Sequence, residues 1–265
     1  GPKSWGHEPG HMDNDKAGAM TPPAQAIAAR LQTITDDLVE DVQSQTFSAP
    51  VTHVYNPLVY ARKGYDRYLT RFGNTAKTTL LIGMNPGPFG MAQTGVPFGD
   101  VEMVRDWMGI SEPVGQPANP HPRRPVDGFD CRRREVSGRR LWAWAADRFG
   151  TPQAFFKLFF VVNYCPLVFM EAGGRNRTPE KLPAAERQRL FQVCDQALRR
   201  TIDVFEPRWV VGVGAFAARR VREAAASMKV GIGQITHPSP ANPRANRGWA
   251  LRAASEMRSM GIDLD

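Results

Sequence analysis

The 265-residue sequence has no apolar run of the ~18 residues that a membrane span needs. It also lacks the basic start and short apolar core of an export signal. No membrane association is expected. Cysteine is scarce: Cys131, Cys165 and Cys194 stand far apart, with no C-x-x-C pair. That excludes a zinc ribbon, a cysteine-held iron–sulfur cluster and a disulfide framework. A reducing location is expected, cytoplasmic and nucleoid-associated in a bacterium or nuclear in a eukaryote. Beyond the first twelve residues, phosphate-loop, H-E-x-x-H and deaminase zinc motifs are all missing. Neither a metal nor a cofactor is expected.

What is present is the composition of an ordinary globular chain, 42% hydrophobic and 23% charged. Its first residues, GPKSWGHEPGHM, read as a protease scar and linker. Residues 1–19 are therefore set apart as a tag remnant and disordered start, and residues 20–265 as one domain. The net charge of +8 is uneven. Between His121 and Arg140 lie Arg123, Arg124, Arg132, Arg133, Arg134, Arg139 and Arg140, against Asp127, Asp130 and Glu135. Half of the net charge thus sits in one Pro- and Arg-rich stretch. Such a loop suits a polyanion, because each neutralised phosphate releases counterions; a solvated basic loop accounts for the same charge.

Periodicity predicts an amphipathic helix over 24–43 (AQAIAARLQTITDDLVEDVQ). Four short apolar runs follow, at 78–84 (TTLLIGM), 158–164 (LFFVVNY), 208–214 (RWVVGVG) and 230–237 (VGIGQITH). Each is too short for a buried helix, rich in β-branched or aromatic residues and largely continuous, the pattern of a strand covered on both faces. Helical patterns near 138–148, 182–205, 216–228 and 248–260 complete an α/β fold. The expected architecture is a three-layer α/β/α arrangement with a mainly parallel sheet of about four strands.

Each run ends in punctuation: NPGPFG, CPL, GAFA and PSPANP. In open α/β sheets ligands bind outside the carboxyl ends of the strands, so these four loops should converge. They bring Asn85, Asn163 and His237, polar groups that a sheet interior would not require. No lysine stands at a strand end to form a Schiff base, which argues against a bifunctional lyase. The glycines of GVGAFA at 212–217 fit close strand–helix packing better than a dinucleotide turn, which needs a third glycine. Taken singly, Asn85 before Pro86 is a turn starter, His237 a satisfied loop histidine, and Phe89 and Phe98 core residues. His53 and His121 carry the structural reading too, and Cys165 and Cys194 read as small buried hydrophobes. Together at separate strand ends, two amides and an imidazole suit a dissociative reaction. An amide is no strong base, but it can hold a water while the leaving group departs as an anion that an imidazole stabilises. The N-glycosidic bond to uracil fits, because the uracil anion is delocalised over both carbonyls.

GMNPGPFGMAQTGVPFG at 83–99 and HPSPANPRANRGW at 237–249 resemble the two signature motifs of the single-strand-selective monofunctional uracil-DNA glycosylases, within the uracil-DNA glycosylase superfamily. The likeness runs through NYCPL at 163–167, GRNRTP at 174–179 and VVGVG at 210–214. The resemblance implies that Asn85 positions the attacking water and His237 stabilises the departing uracil. It implies that Phe98 stacks on a flipped base, that Asn163 reads the uracil edge, and that Met84, Gly87 and Phe89 line the pocket. Gly87 stands where other families place a bulky side chain against C5 substituents, implying tolerance of 5-hydroxymethyluracil. Ser239, Pro240, Ala241, Asn242 and Pro243 resemble the wedge that fills the gap left by the base. The vertebrate pattern has arginine at the position of Ala241, so this chain should favour single strands or mismatches more strongly. The expected partner is uracil-containing DNA, single- or double-stranded, met by a monomer. A glycosylase for xanthine or hypoxanthine, and a non-catalytic single-strand-binding module, remain the alternatives.

Overall fold

The computed structural model describes residues 22–265, with side chains from residue 26 onward. The expectation for residues 1–19 lies outside the described residues. In chain order the elements are α1 (Pro22–Gln43), β1 (Val51–Tyr55), α2 (Pro57–Tyr60), α3 (Arg62–Phe72), β2 (Thr79–Gly83) and α4 (Met91–Thr94). Then come α5 (Val136–Phe149), α6 (Pro152–Leu158), β3 (Phe159–Asn163), β4 (Val168–Glu171), β5 (Asn176–Arg177), α7 (Ala184–Phe205), β6 (Trp209–Val213), α8 (Ala215–Ala224), β7 (Gly231–Ile235) and α9 (Trp249–Met260).

The four apolar runs fold as β2, β3, β6 and β7, all parallel, in the spatial order β3-β2-β6-β7. Every residue of β2, at the centre, is buried. That is why its sequence is continuously apolar rather than alternating. Helices α7 and α8 pack together, as do α5 and α9, and α8 lies on β6 and β7. Right-handed crossovers from β3 to β6 and from β6 to β7 put α7 and α8 on one face. The oppositely directed crossover from β2 to β3 puts α5 on the other. Gly212 sits on β6 where an added Cβ would come within 2.2 Å of the Ala218 backbone nitrogen. Close packing of α8 on β6 is therefore what this glycine of GVGAFA permits.

A second, antiparallel sheet of β1, β4 and β5 was not expected from the sequence. Its strands are two to five residues long, and β1 is bulged between Val51 and His53, which breaks the period-two signal. Helix α3 was also unforeseen. It buries Gly64, Tyr68, Leu69 and Phe72 at helical spacing, but its charged residues mask that face. His53 and His121 meet in this region with ring centroids 4.4 Å apart. His121 is satisfied on both sides: Nε2 lies 3.0 Å from the carbonyls of Glu171 and Ala172, and Nδ1 accepts from the Arg123 backbone N–H. Cys165 and Cys194 are buried. The structural reading of these residues holds.

Candidate active site

The polar residues at the strand ends do converge. Met84, Asn85, Gly87, Phe98, Asn163 and His237 line one cleft of about 160 Å³ at the carboxyl edge of the parallel sheet. Strands β2 and β3 run in register to their last pair, Gly83 opposite Asn163. Backbone bonds from Tyr164 to Gly83 (2.8 Å) and from Cys165 to Met84 (2.9 Å) carry the pairing one step further. Asn85 and Asn163 thus leave the sheet side by side.

Each polar side chain has a partner that fixes its orientation. The Asn85 Nδ2 donates to the Leu167 carbonyl at 2.9 Å, which leaves Oδ1 as a free acceptor towards the cleft. The Asn163 Nδ2 donates to the Met91 sulfur at 3.3 Å. A thioether can only accept, so it holds the NH₂ end of the amide on its own side. Met91, inside the GMAQT of the first motif, is a contributor the sequence reading passed over.

His237 receives the Ser239 backbone N–H on Nδ1 at 3.0 Å. The neutral ring must then carry its proton on Nε2. Burial lowers its pKa to about 4, because the charged imidazolium would lose its hydration. The residue before it is tied three times. Glu256 takes the Thr236 N–H and hydroxyl at 3.0 Å each, and the Trp249 indole donates to the Thr236 carbonyl at 2.6 Å. Behind the ring, Gly214 has φ +89°, and a Cβ there would stand 3.1 Å from the His237 Cβ.

Phe98 is held in strain. Its φ of +54° is left-handed, a conformation costing a non-glycine residue about 1–2 kcal/mol. The Trp142 indole donates to its carbonyl at 3.1 Å. That carbonyl occupies the space where a Cβ on Gly138 would lie, so Gly138 in α5 admits it. The Phe98 ring centroid lies 6.2 Å from that of His237, tilted by 43°. A Cβ on Gly83 would lie 2.6 Å from its edge.

Other expectations shift. The Phe89 ring does not line the cleft; it sits beneath the Arg133 guanidinium, 4.0 Å from ring centroid to Cζ, on the neighbouring surface. Gly87 does not leave open space either. A Cβ there would lie 2.6 Å from the Glu135 carboxylate, which already fills the position. Glu135, Ser137 and Asn176, together with Pro86 and Pro88, complete the lining. Glu135 stood within the counted basic stretch with no signal of its own, and Asn176 is carried in by the unforeseen β5.

The arginines also divide. Arg134 is bound bidentately to buried Asp100 and also to Glu102. Arg140 donates to the Pro238 carbonyl at 2.9 Å and to Asn246 Oδ1 at 3.0 Å, bracing the loop after His237. Arg123, Arg132, Arg133 and Arg139 are exposed. In the 239–243 segment, Pro240, Ala241 and Pro243 are exposed.

Residues 70–257 match the family model described as the uracil DNA glycosylase superfamily. The chain belongs to this superfamily. It is 43% identical over 256 residues to the rat protein named single-strand selective monofunctional uracil-DNA glycosylase, covering 96% of this chain and 92% of that one. The mouse protein of that name is 46% identical over 254 residues, covering 94% and 91%. Likenesses of that extent place the chain in the same family as these two proteins. Among solved structures, wild-type Pedobacter heparinus SMUG2 superposes with a TM-score of 0.62 at 16% identity, covering 86% of this chain and 98% of that one. The family fold is thus present over most of the length.

Proposed function

We propose that this chain is a monofunctional DNA glycosylase that flips uracil out of DNA and hydrolyses its N-glycosidic bond, leaving an abasic site and an intact strand. The observation that carries the reading is the pairing, across one cleft, of an amide whose oxygen is free with a neutral imidazole whose Nε2 bears the proton. Relatives 43–46% identical bear the name of that activity.

The chemistry follows from the donor and acceptor pattern. Phe98 stacks on the extruded base, and Asn163 accepts the N3–H on Oδ1 while Nδ2 donates to O4. Cytosine, with the opposite pattern on that edge, meets an amide held the wrong way round for it. As the N1–C1′ bond breaks, its electron pair leaves with the base, and His237 donates from Nε2 to O2 as charge develops there. A neutral donor does this without handing over a proton, so the base departs as the delocalised anion. Removing such a donor typically costs about 10²–10³ in rate. Asn85 Oδ1 accepts a hydrogen from a water and aims its lone pair at C1′. The water adds to the cationic sugar and then loses its proton to solvent. Flipping costs a few kcal/mol in a matched duplex and less in a single strand. Single-stranded DNA is accordingly the preferred substrate, and the 239–243 turn is the element that would enter a duplex.

A labelled single-stranded oligonucleotide with one uracil tests this. Free uracil and breakage only after alkali are expected. Breakage without alkali would contradict the monofunctional reading, and no uracil release would contradict the enzyme.

A further inference from the structure

Beside the cleft lies a second hollow of about 290 Å³, to which the uracil chemistry gives no role. Two chain segments pass from one to the other. Pro88 lines the cleft and Phe89 the hollow; Glu135 lines the cleft and Arg133 the hollow. Successive Cα atoms stand only about 3.8 Å apart, so the two sites are within reach of adjacent nucleotides on one strand. Gln93 braces the walls. Its Nε2 donates to the carbonyls of Pro88 and Pro125 at 3.0 and 3.1 Å, and its Oε1 accepts from the N–H groups of Asp127 and Gly128 at 2.8 and 3.0 Å. The hollow is thus tied together by an amide with both ends occupied.

Its distinctive feature is the Phe89 ring beneath the Arg133 guanidinium, 4.0 Å from centroid to Cζ. Arg133 is exposed and, unlike Arg134, has no carboxylate partner among the described residues. The ring takes one face of the guanidinium and leaves the other, and nucleobases stack on such planes. Arg123 and Arg132 line the hollow as well, but so do Asp127 and Asp130. Carboxylates repel a phosphate. Mixed donors and acceptors around a flat cation suit a neutral heterocycle better. We propose that this hollow is a subsite for the base next to the uracil, held by stacking on Arg133. The proposal rests on the uracil reading and adds a source of strand preference. An unpaired neighbour is free to turn onto the platform, whereas in a duplex it stays paired and stacked.

The test measures kcat/KM on single-stranded oligonucleotides with one uracil, in which the base on its 5′ or its 3′ side is replaced in turn by a tetrahydrofuran spacer that keeps the phosphates. For the wild type, one of the two omissions should cost about tenfold, as when a stacked base loses its platform. Arg133→Ala should lose about as much on the intact strand and nothing further when that base is omitted. Arg133→Lys keeps the charge but not the plane, and should behave like Arg133→Ala. On duplex DNA, Arg133→Ala should change excision by less than about threefold, because the paired neighbour does not reach the platform. A wild type that excises uracil but is indifferent to both omissions overturns this inference alone. So does an Arg133→Ala variant that stays as sensitive to the omission as the wild type. Full activity in Arg133→Lys would mean a charge contact with phosphate and would overturn it too. A wild type inactive on uracil overturns the function on which it rests.

Discussion

The carboxyl edge of the parallel sheet and the 239–243 turn are neighbours held by opposite means. At the edge, Asn85 and His237 each have one backbone partner, Asn163 has a sulfur, and the strands beneath are buried. In the turn, the bonds are mostly its own. Ser239 Oγ accepts from Ala241 at 3.2 Å, the Ser239 carbonyl from Asn242 at 3.0 Å, and the Pro240 carbonyl from Asn246 at 2.9 Å. A tie to the body of the fold runs through Arg140, which grips Pro238 and Asn246. The orientation of the reacting groups is thus built into the sheet, while entry into a duplex hangs on a surface loop and one guanidinium.

That contrast breaks most visibly with Asn85→Ala or His237→Ala. Single-turnover excision of uracil should fall by about 10²–10³ or more on single- and double-stranded DNA alike. A loss confined to duplex DNA would place these residues in extrusion rather than chemistry. Arg140→Ala should do the reverse, lowering duplex excision about tenfold while single-stranded excision changes less, because only the duplex needs the turn in place. An equal loss on both substrates would show that Arg140 serves His237 rather than the wedge.

The basic surface gives a smaller effect. Reversing exposed Arg123, Arg132 and Arg139 to Glu should flatten the plot of log K against log salt, by roughly 0.7 for each single-strand phosphate that is no longer neutralised. Binding with an unchanged slope would remove this face from the interface. Arg134 does not belong in that experiment, since its removal would leave buried Asp100 unpaired. The smallest change is Ala241→Arg. It should raise duplex excision a few-fold relative to single strands, and an unchanged ratio would mean that the side chain at 241 does not enter the stack.

The four parallel strands were legible within a residue or two of their ends because burial on both faces writes itself as continuous apolar runs. The small antiparallel sheet was not, because strands this short and bulged carry no period. At the site, Asn85, Asn163 and His237 were legible because polar side chains at the ends of buried strands need a reason. Glu135 gave no such signal. It lies at the start of a helix, where acidic residues are routine, and only the backbone of Gly87 and Gly90 shows where its carboxyl goes. Met91 was hidden for the opposite reason, as an apolar residue at the start of the short helix α4. Arg134 and Arg140 looked identical to their neighbours in sequence, and only their partners distinguish structural cations from free ones.

The central claim is that the fold presets the proton on His237 before any DNA arrives. Labelling the histidines with ¹⁵N and following the His237 ring with pH tests it directly. The expected result is a protonated Nε2 and a bare Nδ1 at neutral pH, with titration delayed until about pH 4. Burial opposes the charged form, so this histidine should favour the fold above pH 6.5 and lose that contribution as pH falls towards 4. A ring that titrates near 6.5, or one that carries its neutral proton on Nδ1, would contradict the claim.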